Sequence, residues 1–434
     1  MYLPSVNSQR SRRSARKKSS HDRPRMAATL QAWLQLPSDP SQAEGELRAY
    51  PSATDALAAA AAAKGGTVRL AAGVYAEGKL KVAAGVSLVG EGVDKTVVQS
   101  GGGSAIVCAA GAVRIADLEA RQPAEATAAP AYAIEVRGAA AAAAATEAPP
   151  GVHIERCRLV AASATKLSAA LLVHSASAAI SHCELRSAAA HGVVLASAAR
   201  LHAAAGEIAD CGSCGILALS GTQLRAEGLE IRGCGESALL LSGKGAAATL
   251  TGCLISGGAA AHAAVHVKAG ARATMHKCEL DAPEGVGLQL AEGAAASLHG
   301  TTIHRAGRAA VAARSALEML LQDCTISDSR GVGVMAVRCG PRVALRGCSI
   351  RGSAKAAVQI SEIADEMSEA LGQLAQLSDS SASRAADAVS ASGSSAGGGP
   401  LVEGCIISSC GAVGVDVFAG AAPSLRNNVL DIHI

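Results

Sequence analysis

Ten apolar residues, Leu159, Leu185, Ile208, Ile231, Ile255, Leu280, Ile303, Ile326, Ile350 and Ile407, return at intervals of 26, 23, 23, 24, 25, 23, 23, 24 and 57. A period near 24 held over that distance marks a solenoid, and the last interval is one period plus an insertion of about 33. Seven of the ten close a Cys-x-(Leu/Ile) frame that begins at Cys157, Cys183, Cys253, Cys278, Cys324, Cys348 and Cys405. Between the markers, apolar residues alternate with polar or small ones, as in Gly192 to Leu195, Gly285 to Leu290 and Gly331 to Val334. Period two predicts strands, two clear ones per repeat and a third beside them. A repeat of this length with no helical segment excludes tetratricopeptide, ankyrin and HEAT arrays, and the LxxLxLxxN signature of leucine-rich repeats is missing. The remaining solution is a parallel β-helix, in which residues of one phase stack on themselves. Small apolar ladders suit that stacking, so a chain with only four Tyr, one Trp and one Phe can still close a core.

The segments Tyr50 to Leu57, Lys64 to Glu77 and Gly85 to Gly92 resemble the opening of pectin-lyase-like right-handed β-helix proteins, where a capping helix precedes GG-T-V, G-x-Y-x-E and V-x-L-x-G-x-G elements. The resemblance covers residues 50–434. It implies an all-β fold, a single-stranded right-handed parallel β-helix with a short N-terminal capping helix that Ser52 and Asp55 could begin. Residues 1–49 are expected to be a disordered basic tail and linker, and 121–150 and 362–400 to be insertions. The apolar residues of 363–377 fall at helical spacing, ahead of a Ser/Ala/Gly tract.

Net charge is +3, yet Arg10 to Arg25 alone holds eight basic residues against Asp22, so the repeat body is slightly acidic. That distribution argues against a nucleic-acid-binding surface on the body. The tail fits a nuclear-localisation-like cluster or an organellar targeting segment, without the apolar stretch of a secretory signal. No run is long and apolar enough for a membrane span. Thirteen cysteines without a secretory signal read as buried thiols of a cytoplasmic or nuclear protein.

The β-helix fold houses polysaccharide hydrolases, lyases, esterases and epimerases, so chemistry has to be sought residue by residue. Ala190-His191-Gly192 echoes one hydrolase motif, but no Asp-Asp pair accompanies it. Gln322 to Thr325 echoes an esterase strand without its second acid. Cys211-Gly-Ser-Cys214 has zinc-ligand spacing but no second pair. The strongest metal candidates are Glu184, Glu207 and Glu230, one residue before three stacked markers and pointing outward on successive coils, where a calcium-dependent lyase could bind its cation. Arg186 and Arg232 share that face and can neutralise them instead. Aromatic platforms for sugars or bases are scarce after residue 132.

These readings favour a non-catalytic scaffold or adaptor for a protein partner, without cofactor, resembling the β-helix modules of F-box and Shc-binding proteins more than pectinolytic enzymes. The alternative is a calcium-dependent polysaccharide lyase or another carbohydrate-active enzyme of the fold. The alternating segment at Leu430 to Ile434 adds an expectation of end-to-end self-association through an uncovered edge.

Overall fold

The computed structural model describes residues 31–36, 47–124, 130–138, 151–162, 165, 168–257, 261–362, 399–411, 413–418 and 421–431. Among them the chain winds as a parallel solenoid with three strands in each coil. First-row strands run from Gly66–Leu70 to Ser424–Arg426 and second-row strands from Gly73–Tyr75 to Val429–Asp431, and both rows belong to one 28-stranded sheet. The third row, from Leu80–Val82 to Val415–Phe418, is a separate 13-stranded sheet with one strand per coil.

The ten marker residues stack in unbroken register. Leu159 faces Leu185, Leu185 faces Ile208, Ile208 faces Ile231, and the column continues to Ile350 and Ile407. All ten are buried in the wall of one continuous core. The long interval costs no register, because Ser349–Arg351 pairs directly with Ile406–Ser408. Residues 363–398, with the amphipathic segment read there, lie outside the described residues.

The cysteine frame has a local cause. Between the first and second rows the chain turns on a single left-handed residue: Arg156, His182, Gly252, Lys277, Asp323, Gly347 and Gly404 have φ between 50° and 62°. The next residue is the cysteine, which is buried. Its thiol reaches back to the carbonyl two residues earlier, as Cys183 does to Ser181 (3.3 Å) and Cys324 to Gln322 (3.4 Å). Thr301 does the same with its hydroxyl toward His299. The position asks for a small side chain with a weak donor that is content in the core, which describes cysteine.

Two expectations for the sequence organisation need correction. Within residues 1–49, Ala32–Gln35 is a strand, antiparallel to both Leu47–Tyr50 and Gly66–Leu70. Ala32 and Leu34 are buried by it, and the pairing satisfies backbone groups that the first coil would otherwise expose. Within 121–150, Glu119–Gln122 and Tyr132–Arg137 are ordinary members of the second and third rows. The rest of that proposed expansion, 125–129 and 139–150, is outside the described residues. Ahead of the first coil lies the helix Ala53–Ala62, its first turn held by the Ser52 hydroxyl accepting from the Asp55 amide at 3.0 Å. Glu77 accepts from the Ala53 and Thr54 amides at 2.8 Å each, tying that helix to the first coil.

Candidate functional site

The Glu184, Glu207 and Glu230 ladder is in place. Glu184 stands directly across from Glu207, and Glu207 across from Glu230, on the outer face of the second row. Arginines occupy the gaps. Arg158 bonds Glu184 at 2.9 Å and Asp94 at 2.9 Å, Arg186 joins Glu184 at 2.5 Å and also Asp210, and Arg232 bridges Glu207 and Glu230. Burial pulls the Glu184 carboxyl upward, but hydrogen bonds from Arg158 and Arg186 outweigh it and hold it below the usual carboxylate range. Carboxylates committed to guanidinium partners do not make a calcium site, since a hard cation would first have to displace each arginine. Among the described residues no group of three or more His, Cys, Asp or Glu is arranged to hold a metal ion. Further along the row His304 is held the same way, 2.8 Å from Glu279 and 3.8 Å from Asp281, which Arg305 also engages.

A different arrangement lies where the chain enters the third row. Strands His191–Ala196, Ile216–Ala218, Leu239–Ser242 and Ala263–Lys268 stack so that Val194, Leu217, Leu240 and His266 form one outward column. The column is an apolar strip ending in an imidazole. Along its edge, residues at or just before the start of each strand supply a polar rim: His191, then Ser213 and Cys214, then Glu236, then His262. The Ser213 hydroxyl donates to Glu236 Oε2 at 2.8 Å and the Cys214 thiol to the same oxygen at 3.5 Å. His191 Nδ1 accepts from the Cys214 amide at 3.3 Å, which leaves the proton of the neutral ring on Nε2.

The rim sets its two titratable groups apart. Burial lowers the pKa of His191, against the opposing pull of the Glu236 charge, so its ring is neutral near pH 7. Burial alone would raise Glu236, but the Ser213 and Cys214 hydrogen bonds, with the charges of His262 and His191, keep its carboxyl low and ionised. Cys214 is pushed up to about 12 by burial and then by Glu236, so it is a neutral donor and not a nucleophile. Its CxxC partner Cys211 packs in the core and donates to the Ala209 carbonyl at 3.5 Å, so the two thiols of the motif do not converge on one ion.

Of these residues, sequence inspection singled out His191 and Cys214, each for a motif that does not operate here. Glu236, Ser213, His262 and His266 were missed. The repeat itself held a signal, since Ser213, Glu236 and His262 share one phase, three residues before the in-register column Ile216, Leu239 and Val265.

Comparison with known families and structures fits the coil geometry. The description "right handed beta helix region" matches residues 133–303 and 263–430. The chain belongs to the right-handed β-helix family. No curated protein sequence matches this β-helix chain. Among solved structures it is similar to the A-module of the mannuronan C-5 epimerase AlgE4 of Azotobacter vinelandii, at 15% identity and a TM-score of 0.50 over 86% of this chain and 93% of that one. It is also similar to the catalytic unit of an α-1,3-glucanase from Streptomyces thermodiastaticus, at 15% identity and a TM-score of 0.47 over 87% of this chain and 66% of that one. At these identities the likeness is one of fold. The module matched at a TM-score of 0.50 is that of an epimerase and not of an adaptor, so the expectation of a non-catalytic protein-binding scaffold does not stand. The physical reason for the misreading is that His191 and Cys214 were weighed motif by motif, whereas the stacking of coils is what bonds Cys214 to His191 and to Glu236, each more than 20 residues away.

Proposed function

We propose that the chain is a carbohydrate-active β-helix protein that lays a polysaccharide along the third row, with the rim at His191, Ser213 and Glu236 facing the sugar. The reading rests chiefly on one observation, an ionised carboxylate and a neutral imidazole presented together at the border of an apolar floor. Sugars offer that surface apolar C–H faces and polar edges, and coils at about 4.8 Å repeat the contact along the polymer. Glu236 is the proton acceptor in this reading, and His191 Nε2–H the donor that stabilises charge developing on the substrate. Ser213 positions the carboxylate. Support for the substrate class comes from the fold neighbours, whose names attach them to mannuronan and to α-1,3-glucan.

The test is incubation of the purified protein with mannuronan, other polyuronates and α- and β-glucans, followed by proton NMR of the polymer and by reducing-end or ultraviolet detection of products. Conversion of at least one polymer is expected, with a rate that falls in acid as His191 and Glu236 take up protons. A panel in which no polymer is bound or altered would refute the reading.

A further inference from the structure

A second recess lies away from the rim, at the amino-terminal end of the third row. A groove of about 680 Å³ opens between the helix Ala53–Ala62 and the outer face of the first third-row strands. That volume is within the roughly 300–1,000 Å³ common for small-molecule sites. Its floor is aliphatic, with Leu57 and Ala61 from the helix and Val107 from the sheet. Its rim is cationic, with Lys79, Lys81 and Arg137. Register explains why these meet. Lys81 pairs with Val107, and Ala109, two residues on in the same strand, pairs with Arg137, so cations stand on both sides of that strand, while Glu135, opposite Val107, is buried and bonded to Ser104. Arg137 also engages Glu135, while among the described residues no carboxylate pairs with Lys79 or Lys81.

We infer that this groove binds a free long-chain fatty carboxylate, its alkyl chain against the floor and its head group against Lys79 and Lys81. Charge complementarity selects an anion, and the aliphatic floor of Leu57, Ala61 and Val107 suits an alkyl chain. The floor carries no ionised group of its own. Cys108, which also lines it, is a neutral thiol pushed up to about 12 by burial.

Palmitate titrated into the full-length protein, followed by calorimetry and by displacement of a fluorescent fatty acid, tests the assignment. Saturable binding of one palmitate per chain is expected, with hexadecanol and hexanoate each weaker by at least about tenfold. The Lys79→Glu, Lys81→Glu double variant should lose at least about tenfold in affinity while its thermal unfolding stays unchanged. An Ala58→Trp variant, which fills the groove, should abolish binding. Hexadecanol binding as tightly as palmitate would overturn the proposal, as would attachment only to anionic phospholipid vesicles. Binding that appears only after deletion of residues 139–150 would assign the groove to the chain's own segment and overturn it too.

Discussion

The second-row face between Asp94 and Glu230 and the third-row rim between His191 and His262 are built on the same coils from the same repeat, yet they treat charge in opposite ways. On the second row Glu184, Glu207 and Glu230 each meet an arginine on their own strand or an adjacent coil, so the face neutralises itself. At the third row the polar groups are few, lie beside an apolar strip, and bond to one another only enough to fix the Glu236 carboxylate and the His191 tautomer. The lesson is that a dense charge ladder on a solenoid is more often a solved electrostatic problem than a site. Sparse polar groups at an apolar border leave chemistry unspent.

That contrast can be broken or sharpened by substitution. The largest effect should come from the wall both faces share: Ile231 is fully buried behind Glu230, and its Cγ2 lies against Gly215 at the rim. Ile231→Ala should cost about 2–5 kcal/mol in denaturant unfolding and disturb both regions together. Gly215→Ala acts on the rim alone. An added methyl would meet the Ala238 carbonyl and Ile231 Cγ2 at 2.6 Å each, so a loss of about 1–3 kcal/mol is expected, together with a displaced Cys214.

Acid probes the second-row face next. Glu184 and Asp117 both have carboxyls held below their usual values in the folded chain. Their stabilisation is therefore complete above the ordinary carboxylate range and is lost as pH falls through the depressed folded values. Thermal melts of Glu184→Gln should show a shallower loss of Tm in that acid window than the parent, with little difference at pH 7. A parallel pair of curves would remove Glu184 from the account. The smallest effect belongs to the exposed pair Arg225 and Glu227, where Arg225→Ala should change stability by less than about 1 kcal/mol.

How far the sequence carries depends on what enforces each feature. The β-helix was legible because core stacking demands one residue type at one phase, and Leu185, Ile208 and Ile231 obey it without interruption. The outward direction of Glu184, Glu207 and Glu230 followed from the same alternation. Their pairing with Arg186 and Arg232 was legible too, whereas the reach of Arg158 to Glu184 and Asp94 was not, because it joins residues 26 and 64 apart in the chain. The strand Ala32–Gln35 was missed since it carries no repeat and gains its partner only from the edge of the first coil. Glu236 was missed for a related reason: a lone acid in a turn has no motif, and its meaning arises from Ser213 and Cys214 one coil away.

The account stands most directly on a side-by-side measurement of Glu236→Gln and Glu207→Gln, each nearly isosteric with the parent and each removing one carboxylate from one face. With the polymer that the parent protein converts, Glu236→Gln should lower kcat by about 10²–10⁴-fold at unchanged Tm, while Glu207→Gln stays within about twofold of the parent. Loss of turnover in Glu207→Gln with Glu236→Gln unaffected would place the working face on the charge ladder and contradict it.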